Sequence, residues 1–178
     1  MHAKQDLILK ALKIASWAIL IALCIEAGAI IFNFLFTLFQ PIGARNIYQG
    51  LNLSDLYEKN FTHYVGVMSF MVLLSVLKAY LFFLVVKIFM QLNVVTPFSV
   101  EIASLIEKIS IEALSIGIVS FIARQYAKRL TQSGLDVNGV NQYWSDAVTF
   151  LMMAAILYII AQIFKKGIAI QNENDLTI

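Results

Sequence analysis

Glu26, Asn33, Lys78 and Glu112 stand in stretches otherwise dominated by apolar side chains, and they are the residues of this chain best placed to do chemistry. Burying an ionised group away from water is costly. A carboxylate or ammonium inside a membrane therefore pairs, loses its charge, or lines the path of a proton or cation. Glu26 and Asn33 are two helical turns apart and share one face. A Glu26–Lys78 pair would neutralise both charges, with Asn33 or Glu112 satisfying what remains. Two roles fit this set: a polar network that fixes how helices pack, or a proton- or cation-coupled site. The spacing does not choose between them.

The elements that must position these residues are long apolar runs. Residues Ile14 to Leu38 form a near-continuous one, long enough at ~1.5 Å per residue to cross a ~30 Å hydrocarbon core. Of the 178 residues 60% are hydrophobic and 13% charged, and the mean hydropathy is +0.80. A soluble domain carries about 25% charged residues to cover its surface, so this composition points to an integral membrane protein. The expected fold is all-α: one four-helix transmembrane bundle with spans at about 14–39, 64–92, 102–123 and 147–164, followed by a short tail, 165–178. The first run is longer than a signal-peptide core and lacks an A-x-A cleavage site, so it reads as a retained span.

Between the spans, Gln40-Pro41-Ile42-Gly43 should end the first helix. The segment to His63 is apolar enough to pack on the end of the bundle, with a short helix expected from Asp55 to Asn60. Thr96 with Pro97, or alternatively Ser99, should cap the third helix. That helix is amphipathic at first, with Glu101, Glu107, Lys108 and Glu112, and the Glu107-Lys108 pair reads as solvated at a helix end. Trp144 and Tyr143 are placed at the entrance of the fourth span, which Lys165-Lys166-Gly167 should stop. With both termini cytoplasmic, seven basic residues (Lys4, Lys10, Lys13, Lys87, Lys108, Lys165, Lys166) lie inside against five outside (Arg45, Lys59, Arg124, Lys128, Arg129). That excess favours a cytoplasmic placement of the termini.

Several classes of function are disfavoured. A net charge of +2 is too small to indicate direct nucleic-acid binding. One cysteine, Cys24, cannot form an internal disulfide and is expected as a small buried apolar residue. Two histidines, His2 and His63, do not suggest a metal site. No Gly-rich phosphate loop, H-E-x-x-H or G-x-S-x-G is present, so neither an enzyme nor a cofactor is expected. Eleven residues beyond the last basic stop mix acids, amides and spaced apolar residues, a composition suited either to docking on a partner or to a frayed terminus.

Two segments carry a resemblance. Thr96-Pro97-Phe98-Ser99-Val100-Glu101 and the ending Glu173-Asn174-Asp175-Leu176-Thr177-Ile178 after a basic stop are similar to the P-F-S/T-x-E-N and E-N-D-L-T-[IV] elements of the bacterial family catalogued as domain of unknown function 2975. Ile102 stands where that family often has asparagine. The resemblance implies a multi-pass protein of the bacterial cytoplasmic (inner) membrane, often encoded beside a small helix-turn-helix regulator. A regulatory protein that binds such a cytoplasmic DNA-binding partner is therefore expected, through Pro97, Phe98, Ser99, Glu101, Asn172, Glu173, Asn174, Asp175 and Leu176. The alternative is a small oligomeric proton- or cation-coupled transporter or channel that uses Glu26, Asn33, Lys78 and Glu112.

Overall fold

The computed structural model describes residues 2–92 and 99–175. Five α-helices account for most of them: α1 (His2–Phe39), α2 (Ser54–Lys59), α3 (Phe61–Gln91), α4 (Val100–Gln132) and α5 (Ala147–Asp175). Among the described residues extended pairing is limited to a single bridge between Ile47 and Leu51. Three stretches are long and apolar enough to cross a membrane: Leu7–Phe39, Phe61–Gln91 and Val140–Glu173. The 33-residue α4 is the less apolar fourth long helix, because charges at both ends dilute its middle.

The helices pack in serial order, α1 on α3, α3 on α4 and α4 on α5, and the α4–α5 contact is the most extensive. The α1 and α5 helices are the outer members of this arrangement. Each neighbouring pair is antiparallel, as three cross-helix contacts show. Tyr64 Oη donates to Thr37 Oγ1 at 2.7 Å, His63 Nδ1 lies 2.8 Å from Tyr126 Oη, and Lys165 Nζ reaches Glu107 Oε1 at 2.7 Å. The start of α1 and the end of α5 therefore lie at the same end of the structure.

Small residues explain the closeness of α4 and α5. Ala103, Ser110 and Gly117 recur every seven residues on α4, as do Ala147, Ala154 and Ala161 on α5, and all six are buried. Such stripes let backbones approach, which is how apolar helices gain packing where no water drives them together. A Cβ on Gly117 would stand 2.7 Å from Leu151 Cδ2 and 3.2 Å from its backbone nitrogen. Ser110 Oγ crosses the seam to donate to the Ala154 carbonyl at 2.9 Å.

The connections are folded inward. Ala44, Ile47, Leu51, Leu53 and Leu56 are buried between α1 and α3 and close one end of the helices. The short helix there is α2, and Asn52 Oδ1 accepts from Ser54 N at 3.0 Å at its start. The segment after α4 is anchored by buried Val137, Val140, Tyr143 and Trp144. Tyr143 and Trp144 thus differ from the expected interfacial aromatics, being 6% and 1% exposed. Trp144 satisfies its indole nitrogen on Asn141 Oδ1 at 3.2 Å, so the ring needs no contact with lipid headgroups.

Ser99 caps α4 by accepting from Ile102 N at 3.2 Å, and the helix begins at Val100; the Thr96 and Pro97 alternative lies outside the described residues. The last helix continues past Lys165-Lys166-Gly167 to Asp175. A basic pair ends hydrophobicity, and with it a span, without ending backbone hydrogen bonding, and Lys165 pairs with Glu107 on α4. Cys24 is exposed on α1 instead of buried, because it lines an open groove between α1 and Val76, Ala79, Tyr80 and Phe83 of α3.

Candidate functional site

The polar residues expected inside the helices occupy comparable heights. Glu26 lies eleven residues before Thr37, Lys78 fourteen after Tyr64, and Glu112 fourteen before Tyr126. Counted from the cross-helix contacts at ~1.5 Å per residue, all three fall roughly 17–21 Å from the α2 end. Glu26 and Asn33 are half-buried on the side of α1 that also carries buried Ala27, Ile30 and Thr37.

Their partners are not those expected. Among the described residues no ion pair joins Glu26 to Lys78; the ion pairs include Asp55–Lys59 and Glu107–Lys165. Lys78 Nζ instead donates to the carbonyl oxygen of Tyr143 at 3.2 Å and stands 5.9 Å from the centre of the Phe150 ring. It lines a small cavity of about 170 Å³ with Leu23, Leu81, Phe82, Asp146 and Phe150. The inward fold of the segment before α5 supplies this carbonyl, and a sequence gives little sign that a loop carbonyl will reach a mid-helix lysine. Asn33 is satisfied within its own helix, donating to the Ala29 carbonyl at 2.9 Å. Glu26 is half-buried on α1 and forms no ion pair with Lys78 among the described residues. Glu112 Oε1 is buried and makes no hydrogen bond among the described residues. The set is therefore two centres, Lys78 with Tyr143 and a separate Glu112, in place of one network.

The described parts of the two segments singled out for partner binding lie toward the end shared by the termini. Ile102 and Ile106 of α4 pack with Ala161 of α5, flanked by Leu157, Ile160 and Phe164. One turn on, Glu107 and Lys165 form their ion pair, so Glu107 is held between helices and is not merely solvated. Glu101 lies six residues before Glu107, and Asn172 seven after Lys165, about 9 and 10 Å further along antiparallel helices. Glu101, Asn172 and Glu173 are exposed, whereas Ser99 is occupied as a helix cap. Asn174 and Asp175 are helical in backbone. Pro97, Phe98 and Leu176 lie outside the described residues.

A third polar contact has no counterpart among the residues singled out from the sequence. His63, in the first turn of α3, meets Tyr126 of α4, whose phenol burial raises above its ordinary value. Gly66 makes the room: a Cβ there would lie 2.8 Å from Tyr126 Oη. The one available signal was a glycine one turn after a histidine, too common to single out. The contact ties α3 to α4, and among the described residues it has no carboxylate bonded to it that would make it a catalytic dyad.

No curated protein and no solved structure matches the chain. Residues 47–178, well over half the chain and everything after the first helix and its exit turn, match the family described as Protein of unknown function (DUF2975), and the protein belongs to that family.

Proposed function

We propose that this is a four-span protein of the bacterial inner membrane that uses the end shared by its termini to bind a cytoplasmic protein. The observation that carries the reading is the Lys165–Glu107 ion pair at 2.7 Å. It continues α5 as a helix past its basic residues and brings Asn172 and Glu173 to the same end as Glu101. A fourth crossing by α4 is supported by its exposed Ile111, Leu114, Ile118, Phe121 and Ile122, an apolar strip that suits lipid and not water. The exposed carboxylate of Glu101 favours a basic partner, and a small helix-turn-helix regulator, whose DNA-binding face is basic, is the partner proposed. The test is purification in mild detergent from the native host, full-length beside a chain stopped after Gln171. Co-purification of a helix-turn-helix protein with the full-length chain alone supports the reading; its absence from both removes it.

A second reading rests on Glu112, whose buried Oε1 without a hydrogen bond is the arrangement a proton-carrying carboxyl would need. It treats the protein as a small proton- or cation-coupled transporter. Proton flux in vesicles that Glu112→Gln abolishes, with the fold intact, would favour it over the partner reading.

A further inference from the structure

The groove between the last turns of α4 and the segment leading into α5 has no part in either reading. It encloses about 600 Å³, within the range of small-molecule sites. Arg124, Gln125 and Lys128 line it from α4, Asn138 and Asn141 from the connection, and Phe121 lines it toward the middle of the helix. Arg124 and Lys128 are one turn apart and share a face. Neither takes part in an ion pair among the described residues, and no carboxylate lines the groove.

The opposite wall is preformed. Leu135 N bonds back to the Leu130 carbonyl at 3.1 Å, and Val137 and Val140 are buried, so the connection is pinned against the helices on both sides of Asn138. Asn141 Oδ1 accepts from the Trp144 indole, which leaves the Asn141 amide hydrogens to donate elsewhere. Asp136, the nearest acid in sequence, spends Oδ1 on Asn138 N at 2.9 Å. The groove thus presents two cations and amide donors to whatever enters it, and that chemistry is met by an anion with several acceptor oxygens.

The Phe121 end decides the kind of anion. Phe121 belongs to the exposed apolar strip with Ile118 and Ile122, so the polar groove opens directly onto a surface suited to acyl chains. We infer that Arg124, Lys128, Asn138 and Asn141 form a binding site for the phosphate of an anionic membrane phospholipid, with the acyl chains running along Phe121, Ile118 and Ile122. Basic pockets beside transmembrane helices recognise such headgroups by charge and hydrogen bonding together. The site rests on the crossing of α4 and is independent of the partner, which docks at the other end.

Native mass spectrometry of the full chain in detergent, with equal amounts of phosphatidylglycerol and phosphatidylcholine, tests the inference. Phosphatidylglycerol should be retained about tenfold more, and Arg124→Gln with Lys128→Gln should abolish the preference. Arg129→Gln removes a neighbouring exposed charge outside the groove and should leave the preference unchanged. Gln125→Glu, a surface change that introduces a carboxylate into the groove, should also abolish it and guards against a folding defect in the double variant. Equal retention of the two lipids, or an equal loss in Arg129→Gln, overturns the site. Displacement of phosphatidylglycerol by an equal concentration of inorganic phosphate overturns the lipid assignment and leaves a free-anion site.

Discussion

Lys78 of α3 donates to the main-chain carbonyl of Tyr143 at 3.2 Å, while the Tyr143 phenol donates to the Tyr48 carbonyl at 3.0 Å. Tyr143 is therefore a strut between the middle of α3 and the segment that closes the far end. Its carbonyl has a charged donor, and the connection before α3 is joined through one residue to the connection between α4 and α5.

Replacing Lys78 by methionine should expose the importance of that strut. The chain loses a charge-assisted hydrogen bond and leaves the Tyr143 carbonyl without its donor, a loss of about 1–3 kcal/mol for a buried group. Glu26→Gln should change stability by less than about 0.5 kcal/mol, since Glu26 is joined to Lys78 by no ion pair. Thermal unfolding in detergent reads both. A large loss for Glu26→Gln beside a neutral Lys78→Met would mean that the two charges pair in the membrane after all.

Gly117 is a point of close approach between α4 and α5. Gly117→Ala places a methyl against Leu151, with the Leu151 backbone nitrogen at 3.2 Å as the contact that cannot rotate away. A loss of about 1–3 kcal/mol is expected from overpacking. Gly117→Ala combined with Leu151→Ala should recover part of it, because the shorter contacts are to the Leu151 side chain. A Cβ at Gly28 on α1 would meet nothing within 4 Å, so Gly28→Ala should stabilise by up to about 1 kcal/mol through helix propensity alone. Thermal unfolding in detergent distinguishes the two, with the midpoint lowered by the first change and raised by the second.

The contrast between these two glycines shows what could be read in advance. Long apolar runs reveal helices because composition over thirty residues needs no knowledge of neighbours, and α1, α3 and most of α5 follow from it. The seam between α4 and α5 was equally present, as alanines at 147, 154 and 161 facing Ala103, Ser110 and Gly117, but a hydropathy reading treats small residues as filler. The pairing of Lys78 was beyond reach. Its acceptor is a backbone carbonyl in a connection, and backbone atoms leave no mark in a sequence. Lys165-Lys166-Gly167 could not show how far α5 reaches, because charge marks where lipid ends and not where hydrogen bonding along a helix must stop.

The Glu107–Lys165 pair should matter more for local order than for global stability. Both side chains are partly exposed, at 32% and 46%, so water screens the attraction and Lys165→Ala should cost no more than about 1 kcal/mol. The change should instead appear in hydrogen exchange, with amides of residues 165–175 protected less than before and those of 147–160 unaffected. Unaltered exchange across the last turns would show that α5 holds itself together beyond Phe164 and that the ion pair does not organise the end shared by the termini.

Glu112 separates structural from functional use of a half-buried acid with one unbonded, buried oxygen. Its Oε1 lacks any hydrogen bond among the described residues, so the residue gives the fold little in return for its desolvation. Glu112→Met fills similar space without a polar atom and should raise stability by about 1–3 kcal/mol in thermal unfolding, the usual penalty of an unsatisfied buried group. Stability that falls instead would mean Glu112 has a hydrogen-bonding partner in the membrane. A gain accompanied by loss of proton flux would show that the protein carries this carboxyl for activity at the expense of stability, since a residue that only weakens the fold has no structural reason to stand there.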